Sequence, residues 1–182
     1  MKMKLLPAFL VLMVITTAAQ GVDPHPLRAE AASIVKRFGG QLRPALQDAM
    51  RTGGPQAAIE VCAEKAPAIA QSLSEGTGWE VRRISLKPRN VSALPDEWAA
   101  SVLRDLDARA AAGEGVSTLF HEAEVDGEYR FVRAQAVEPV CLACHGETIA
   151  PSIKWQLDRF YPDDNATGYR LGELRGAFYL SK

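Results

Sequence analysis

The stretch Cys141-Leu142-Ala143-Cys144-His145-Gly146 places two thiols three positions apart, with an imidazole directly after the second thiol. In c-type haem attachment, two cysteines at this spacing form thioethers to the porphyrin edge, and the histidine that follows ligates the iron. The chain has three cysteines and three histidines in all, so chance rarely produces this arrangement. The motif predicts one covalent haem c, with Cys141 and Cys144 as thioether residues and His145 as the proximal iron ligand.

Two other interpretations of a Cys-x-x-Cys pair fit the sequence less well. A structural zinc site normally needs a second Cys or His pair at similar spacing, and the sequence has none. A thioredoxin-like dithiol belongs at a strand-to-helix turn of a parallel α/β fold, and the flanks of this motif lack that pattern. Covalent haem is therefore the better interpretation.

The first 21 residues have the pattern of a bacterial secretory signal peptide. Lys2 and Lys4 precede an apolar run from Leu5 to Ile15, and small residues follow it. The apolar run is shorter than the roughly 20 residues that span a bilayer. We expect cleavage near residue 21, with an uncleaved anchor as the alternative, and a periplasmic single domain over 22–182 with no transmembrane segment. Attachment of c-type haem also takes place outside the cytoplasm, so the two signals agree.

The charge balance argues against a nucleic-acid partner. The chain has 21 basic and 22 acidic side chains, and removal of Lys2 and Lys4 makes the balance more acidic. Nucleic-acid-binding domains are usually strongly basic. With 47% hydrophobic residues the chain has enough apolar surface for one packed core.

Helical periodicity dominates the first half of the mature chain. Apolar residues recur at helical spacing from about Pro26 to Arg51. Pro44 lies inside this stretch, which therefore fits either one kinked helix or two short ones. The stretch 52–54, Thr-Gly-Gly, ends this pattern, and a second helix begins at Pro55, a favoured first-turn residue. Gly78 marks its end.

The segment Trp79–Asn90 changes to an alternation of apolar and polar residues, which predicts a half-buried strand. One face of that strand carries three cations, Arg83, Lys87 and Arg89. Such a row is a candidate site for haem propionates, and a solvated strand face is the alternative.

Further elements follow in the second half. Pro95-Asp96-Glu97 begins an amphipathic helix, and Ser117–Val137 predicts a hairpin about Asp126-Gly127. A short helix over Pro151–Phe160 and a last strand over Gly176–Leu180 complete the pattern. Helices followed by antiparallel strands, with the helices packed on one side, predict an α+β fold.

The residues alone do not decide which side chain is the second axial ligand of the iron. Signal cleavage would leave Met50 as the one methionine for a His/Met pair, and His25 and His121 are further candidates. His121 would lie on an apolar face of the hairpin, where histidines are usually structural. Cys62 is a third cysteine on the apolar stripe of its helix, either a small core residue or a ligand.

An ordered series of short motifs resembles the Tll-type haem domain family across nearly all of the mature chain. The motifs are Ala58-Ile59-Glu60-Val61-Cys62 with Ala66-Pro67, then Arg83, Ser85, Lys87 and Arg89-Asn90, Pro95-Asp96 with Trp98, Cys141 to Gly146, Gly168-Tyr169, and Leu174 to Ala177. The resemblance implies a PAS-like antiparallel sheet with N-terminal helices packed around one covalently bound haem. It also implies an unusual axial pair, His145 as the proximal ligand and Cys62 as the distal ligand.

Three function classes are compatible with these expectations. A thiolate ligand stabilises Fe(III), and its bond weakens on reduction, so its release would open the iron to CO or NO. This favours a redox or diatomic-gas sensor module, which needs a signalling partner because no kinase, cyclase or methyl-accepting segment follows the motif. The alternative is a soluble low-potential electron carrier with a redox partner. An enzyme is the weakest class, since we identify no catalytic residues or acid/base pair near an open site.

Overall fold

The computed structural model describes residues 25–182, so the predicted signal peptide, residues 1–21, lies outside the described residues. Helices in this part of the chain are α1 (Arg28–Glu60), α2 (Ala66–Thr77), α3 (Glu97–Ala111), α4 (Leu142–His145) and α5 (Pro151–Phe160). The strands are β1 (Glu80–Ile84), β2 (Phe120–Val125), β3 (Glu128–Ala136) and β4 (Leu174–Ser181). Among these helices, none has both the length and the apolar character needed to cross a membrane.

The four strands form one antiparallel sheet in the order β1-β4-β3-β2. The β2–β3 hairpin turns at Asp126-Gly127, where φ is 55° and 82°. Both residues are left-handed, as a type I′ turn requires. Val125 pairs with Glu128, which confirms the predicted register of the hairpin. The predicted α+β fold class is confirmed.

Local signals in the sequence set several helix boundaries. The helical backbone of α1 is broken at Gly54, with φ 67° and ψ −162°, whereas Pro44 lies inside α1 without such a break. Gly78 ends α2 in a left-handed cap, and its N–H donates to Ser74 O. At the start of α3 the Asp96 carboxylate accepts the N–H of Ala99 at 2.7 Å. The predicted stops and starts at these positions are confirmed.

Helices cover both faces of the sheet, so the prediction of helices on one side was wrong. Side chains of α1 and α2 pack with Val81, Phe131 and Leu180, whereas side chains of α3 pack with Val132 and Ala177. Neighbouring residues of a strand point to opposite faces, as Phe131 and Val132 do here. Every residue of β4 is buried, because this strand lies between two others and under helices on both faces.

The first strand is shorter than predicted and ends at Ile84. The Ser85 hydroxyl lies 3.0 Å from Lys87 O and 3.2 Å from Lys87 N. A hydroxyl that bonds nearby backbone groups competes with the sheet ladder, and here it turns the chain. Residues 86–90 are therefore a loop, and the alternation expected over them does not place their side chains on one strand face.

Candidate haem site

The Cys-x-x-Cys-His motif ends a short helix. A 3₁₀ turn over Pro139–Cys141 leads into α4, which ends at His145, and Gly146 is extended with ψ 178°. A Cβ added to Gly146 would lie 2.6 Å from Leu142 O. Glycine is therefore required directly after the histidine, where the chain leaves the helix.

Residues 161–169, here called the support loop, run beside the motif. The N–H of Gly168 donates to Gly146 O at 3.0 Å, and that of Tyr169 donates to His145 O at 2.9 Å. The N–H of Asn165 donates to Pro88 O at 3.0 Å. The support loop thus connects the motif to the loop that follows β1.

One ring nitrogen of His145 is fixed by the support loop. Its Nδ1 lies 2.6 Å from Ala166 O. A carbonyl oxygen only accepts, so Nδ1 carries the proton and Nε2 is free to bind a metal. Burial, followed by the charges of Arg175 and Arg89, lowers the pKa of His145 to about 2. The imidazole is therefore neutral, which is the form that ligates metals.

Cys62 lies on a π-helical turn, Val61–Lys65, which joins α1 to α2. π-Helical turns are rare and occur frequently at functional sites. The thiol of Cys62 is free and partly buried. Sequence periodicity predicted a helix here, and the π-helical form of this turn had no recognisable sequence signal.

Two neighbouring cavities, of about 380 and 70 Å³, bring Cys62 and His145 together. Both side chains line both cavities, and Cys141 and Cys144 line the smaller one. Cofactor pockets usually measure about 300–1,000 Å³, so the larger cavity is within that range. Further residues shared by the two walls are Arg83, Arg89, Tyr161 and Arg175.

The two motif thiols line the smaller cavity together with Cys62. Burial raises the pKa of Cys141 and of Cys144, and the nearby Cys62 raises both further. The positive charge of Arg83 lowers the pKa of Cys141, and that of Arg89 lowers the pKa of Cys144, so each opposes part of the increase. Burial and the neighbouring thiol thus both favour the protonated form of the two motif cysteines.

Two guanidinium groups in the cavity wall have no carboxylate partner within residues 25–182. Arg83 donates to Gln135 Oε1 at 2.7 Å, and burial lowers its pKa. Arg175, 8% exposed, donates to Ser85 Oγ at 3.0 Å, and its Nε has no partner in the described part of the chain. Burial lowers the pKa of Arg175 to about 10. Since buried charges are normally paired, the wall suits a ligand that brings carboxylates of its own.

The structure does not bring the three predicted cations together. Arg83 and Arg89 both line the two cavities, and Arg89 also pairs with Asp164 at 3.0 Å. Lys87 lies outside them, where its Nζ donates to Thr167 O at 2.6 Å and sits 4.4 Å from the centre of the Tyr169 ring. The predicted propionate contact of Lys87 therefore has no support in the geometry, because β1 ends at Ile84.

Sequence reasoning missed Arg175 as a site residue. The available signal was a lone basic residue in the otherwise apolar strand β4, where burial of an unpaired charge is costly. Gly176 next to it gives a second signal, since a Cβ there would lie 2.4 Å from Ile84 O.

The other predicted axial candidates lie in different places. Met50 lines the smaller cavity and remains a candidate. The His121 ring lies 5.8 Å from that of Trp98, and the His25 ring stacks on Tyr129 at 4.0 Å. Neither histidine lines the two cavities that Cys62 and His145 share.

The donor set fits an iron porphyrin. It offers an imidazole nitrogen and a thiol that could ligate iron, two thiols for thioethers, and two guanidiniums that have no carboxylate partner among residues 25–182. Fold and site together define a class of α+β proteins with two adjoining cavities between a Cys-x-x-Cys-His helix and a cysteine-bearing helical turn.

The chain belongs to the Tll0287-like family, whose model matches residues 15–182. This confirms the resemblance found in the sequence. The fold is similar to the crystal structure of the cyanobacterial heme-protein Tll0287, with a TM-score of 0.68 and 24% identity. The likeness covers 87% of this chain and 96% of that chain. No curated protein matches the sequence significantly.

Proposed function

We propose that the chain is an exported monohaem c-type protein, with His145 and Cys62 as axial ligands, that acts as a redox or diatomic-gas sensor module. The observation that carries the proposal is that Cys62 and His145, from separate elements, line the same two cavities. The family and the heme-protein neighbour support it. A periplasmic location is part of the proposal and rests on the signal-like residues 1–21.

The residues of the site divide the work of holding the haem. Cys141 and Cys144 would form the two thioethers, and His145 Nε2 would ligate the iron. Arg83 and Arg175 would pair with the propionates, because guanidinium–carboxylate hydrogen bonds would compensate their burial. When bound, the haem supplies a one-electron couple and an axial position that a small ligand can occupy.

Cys62 provides the switch. Its thiolate would stabilise Fe(III), and reduction or protonation would weaken its hold on the iron. Release of Cys62 would leave the iron accessible to CO or NO and would free the π-helical turn at the junction of α1 and α2. A ligand change that favours one of two arrangements of a helix junction is a sufficient basis for signalling to a partner protein.

Absorption spectra of the haem-loaded protein test the ligand pair. The ferric wild type should show a low-spin, thiolate-type spectrum, and Cys62→Ser should abolish it. Met50→Leu is the matched control, since Met50 also lines the smaller cavity, and it should leave the spectrum unchanged. Identical spectra for wild type and Cys62→Ser would overturn Cys62 ligation.

A second function, a soluble low-potential electron carrier, is favoured by one surface feature. Val91 and Leu94 are 61% and 55% exposed, and they flank Ser92 and Ala93, which line the larger cavity. Exposed apolar residues beside a cofactor opening suit transient docking of a redox partner. Addition of CO to the ferrous protein separates the two functions: binding supports the sensor, and a six-coordinate ferrous protein that refuses CO supports the carrier.

A further inference from the structure

We infer that Arg89 and Asp164 are a positioning pair that orients His145 through the backbone of Ala166. The inference rests on the proposed role of His145 as iron ligand. It gives Arg89, for which the sequence predicted a propionate contact, a further task at the same site.

A continuous series of hydrogen bonds connects Asp164 to the imidazole. Asp164 Oδ1 accepts the N–H of Ala166 at 2.8 Å. The carbonyl of the same Ala166 accepts Nδ1–H of His145 at 2.6 Å. One carboxylate therefore fixes the residue that sets the orientation and tautomer of His145.

Arg89 connects this series to the motif helix. Its Nε donates to Asp164 Oδ2 at 3.1 Å, and its Nη2 lies 3.0 Å from the same oxygen. Nη2 also donates to the carbonyl of Cys144, the residue before His145. The planar guanidinium thus holds the support loop and the motif helix at one relative position, which a point charge such as lysine cannot do with the same geometry.

The burial of the pair indicates a geometric task. Both side chains are 8% exposed. A buried ion pair loses much of its attraction to the cost of desolvation, so it is weak evidence for added stability. In this site Arg89 donates a hydrogen bond to Cys144 O in the motif helix, and Asp164 accepts one from Ala166 N in the support loop. The pair therefore makes a directed bond to each of the two segments that hold the imidazole.

The expected effect on the iron ligand follows from the Nδ1–H bond. A strong hydrogen bond from Nδ1 makes an imidazole a better electron donor through Nε2. Better donation stabilises Fe(III) and lowers the reduction potential. Loss of the Asp164–Ala166 contact should therefore loosen the Nδ1–H bond and raise the potential.

Exchange of the His145 Nδ1 proton with solvent, followed by NMR on the haem-loaded protein, tests the inference. Asp164→Ala should speed this exchange about tenfold, as expected for the loss of one hydrogen bond in the series, and should raise the potential. Asp164→Asn keeps an acceptor for the N–H of Ala166, so the exchange rate should stay near that of the wild type. It loses the negative charge, so the reduction potential should still rise. Asp163→Asn, at the exposed neighbouring position, is the matched control and should change neither.

Equal exchange rates in Asp164→Ala and Asp163→Asn would overturn the inference. If Asp164→Ala does not fold, Arg89→Lys decides, because lysine keeps the charge but cannot hold Asp164 and Cys144 O together. Faster exchange in Arg89→Lys supports the inference, and wild-type exchange overturns it. Failure of the proposed function is distinct, since a wild-type protein without attached haem, or with another ligand in place of His145, would reveal it before any variant is compared.

Discussion

The two sides of the candidate site are built differently. On one side, His145 ends a short helix and is fixed through Nδ1, through its own carbonyl and through the support loop. On the other side, Cys62 is a free thiol on a π-helical turn between two longer helices. The comparison indicates that His145 is held in one position and that Cys62 can change its position.

Helix geometry explains why the Cys62 side is adjustable. Each hydrogen bond of a π-helical turn spans one more residue than a bond of the α-helix around it, and the α-helical form is the common alternative. A rearrangement confined to Val61–Lys65 can therefore move Cys62 without unfolding α1 or α2. No comparable alternative is available to His145, whose neighbour Gly146 contacts the backbone of its own helix.

The largest expected effect is on the fixed side. Gly146→Ala would bring a Cβ to 2.6 Å from Leu142 O, and a backbone carbonyl held within a helix cannot move away easily. We expect the free energy of unfolding to fall by about 3 kcal/mol, measured by denaturant titration. Gly40→Ala is the control, because Gly40 lies in α1 with nothing within 4 Å of an added Cβ. It should leave stability unchanged or raise it by up to about 1 kcal/mol. Equal losses in both variants would contradict the rigid-motif interpretation.

The next effect is on the adjustable side. On reduction of the haem-loaded protein, amide hydrogen exchange over Val61–Lys65 should accelerate about tenfold, because release of Cys62 removes a constraint on the turn. Exchange over Leu142–His145 should stay the same, since its hydrogen bonds do not involve Cys62. Parallel acceleration of both segments would remove the distinction between the two sides.

The smallest effect concerns the opposite end of α1. Glu122 of β2 accepts hydrogen bonds from Arg28, at the start of α1, and from the Tyr129 hydroxyl at 2.7 Å. The hydrogen bond from Arg28, together with the one from Tyr129, outweighs burial and lowers the pKa of Glu122. Glu122→Gln should lower the free energy of unfolding at pH 7 by about 1 kcal/mol without changing the absorption spectrum.

The same carboxylate gives a pH dependence. A lowered folded-state pKa means that the stabilisation by Glu122 is present above its ordinary value of 4.5 and is lost as pH falls below it. Stability of Glu122→Gln should therefore fall less steeply below pH 4.5 than that of the wild type. Glu124→Gln, whose side chain is 71% exposed on the same strand, is the control and should behave as the wild type does.

Signals that act within a few residues made much of the fold predictable. The hairpin at Asp126-Gly127, the cap at Gly78 and the helix start at Asp96 each follow from one turn or cap, and all are observed. The motif cysteines and His145 were recognisable because the Cys-x-x-Cys-His spacing is the one that c-type haem attachment requires. The family resemblance supplied Cys62, which periodicity alone left as either core residue or ligand.

Contacts between distant segments were not predictable. The support loop reaches the motif through Ala166 and Asp164, whose sequence neighbourhood resembles an ordinary polar loop. Alternation along a strand predicted one face for Arg83 and Arg89, but the Ser85 hydroxyl turns the chain and gives them different partners. The position of α3 on the second face depends on packing that no local pattern encodes.

The strand order has a consequence for how the protein is made. β4 is the last strand in the sequence, yet it lies between β1 and β3. During synthesis those two strands therefore lack their shared neighbour until residues 174–181 have emerged. The thiols at 141 and 144 precede β4 in the sequence, so in a chain that folds from its N-terminal end they are accessible before the sheet can close.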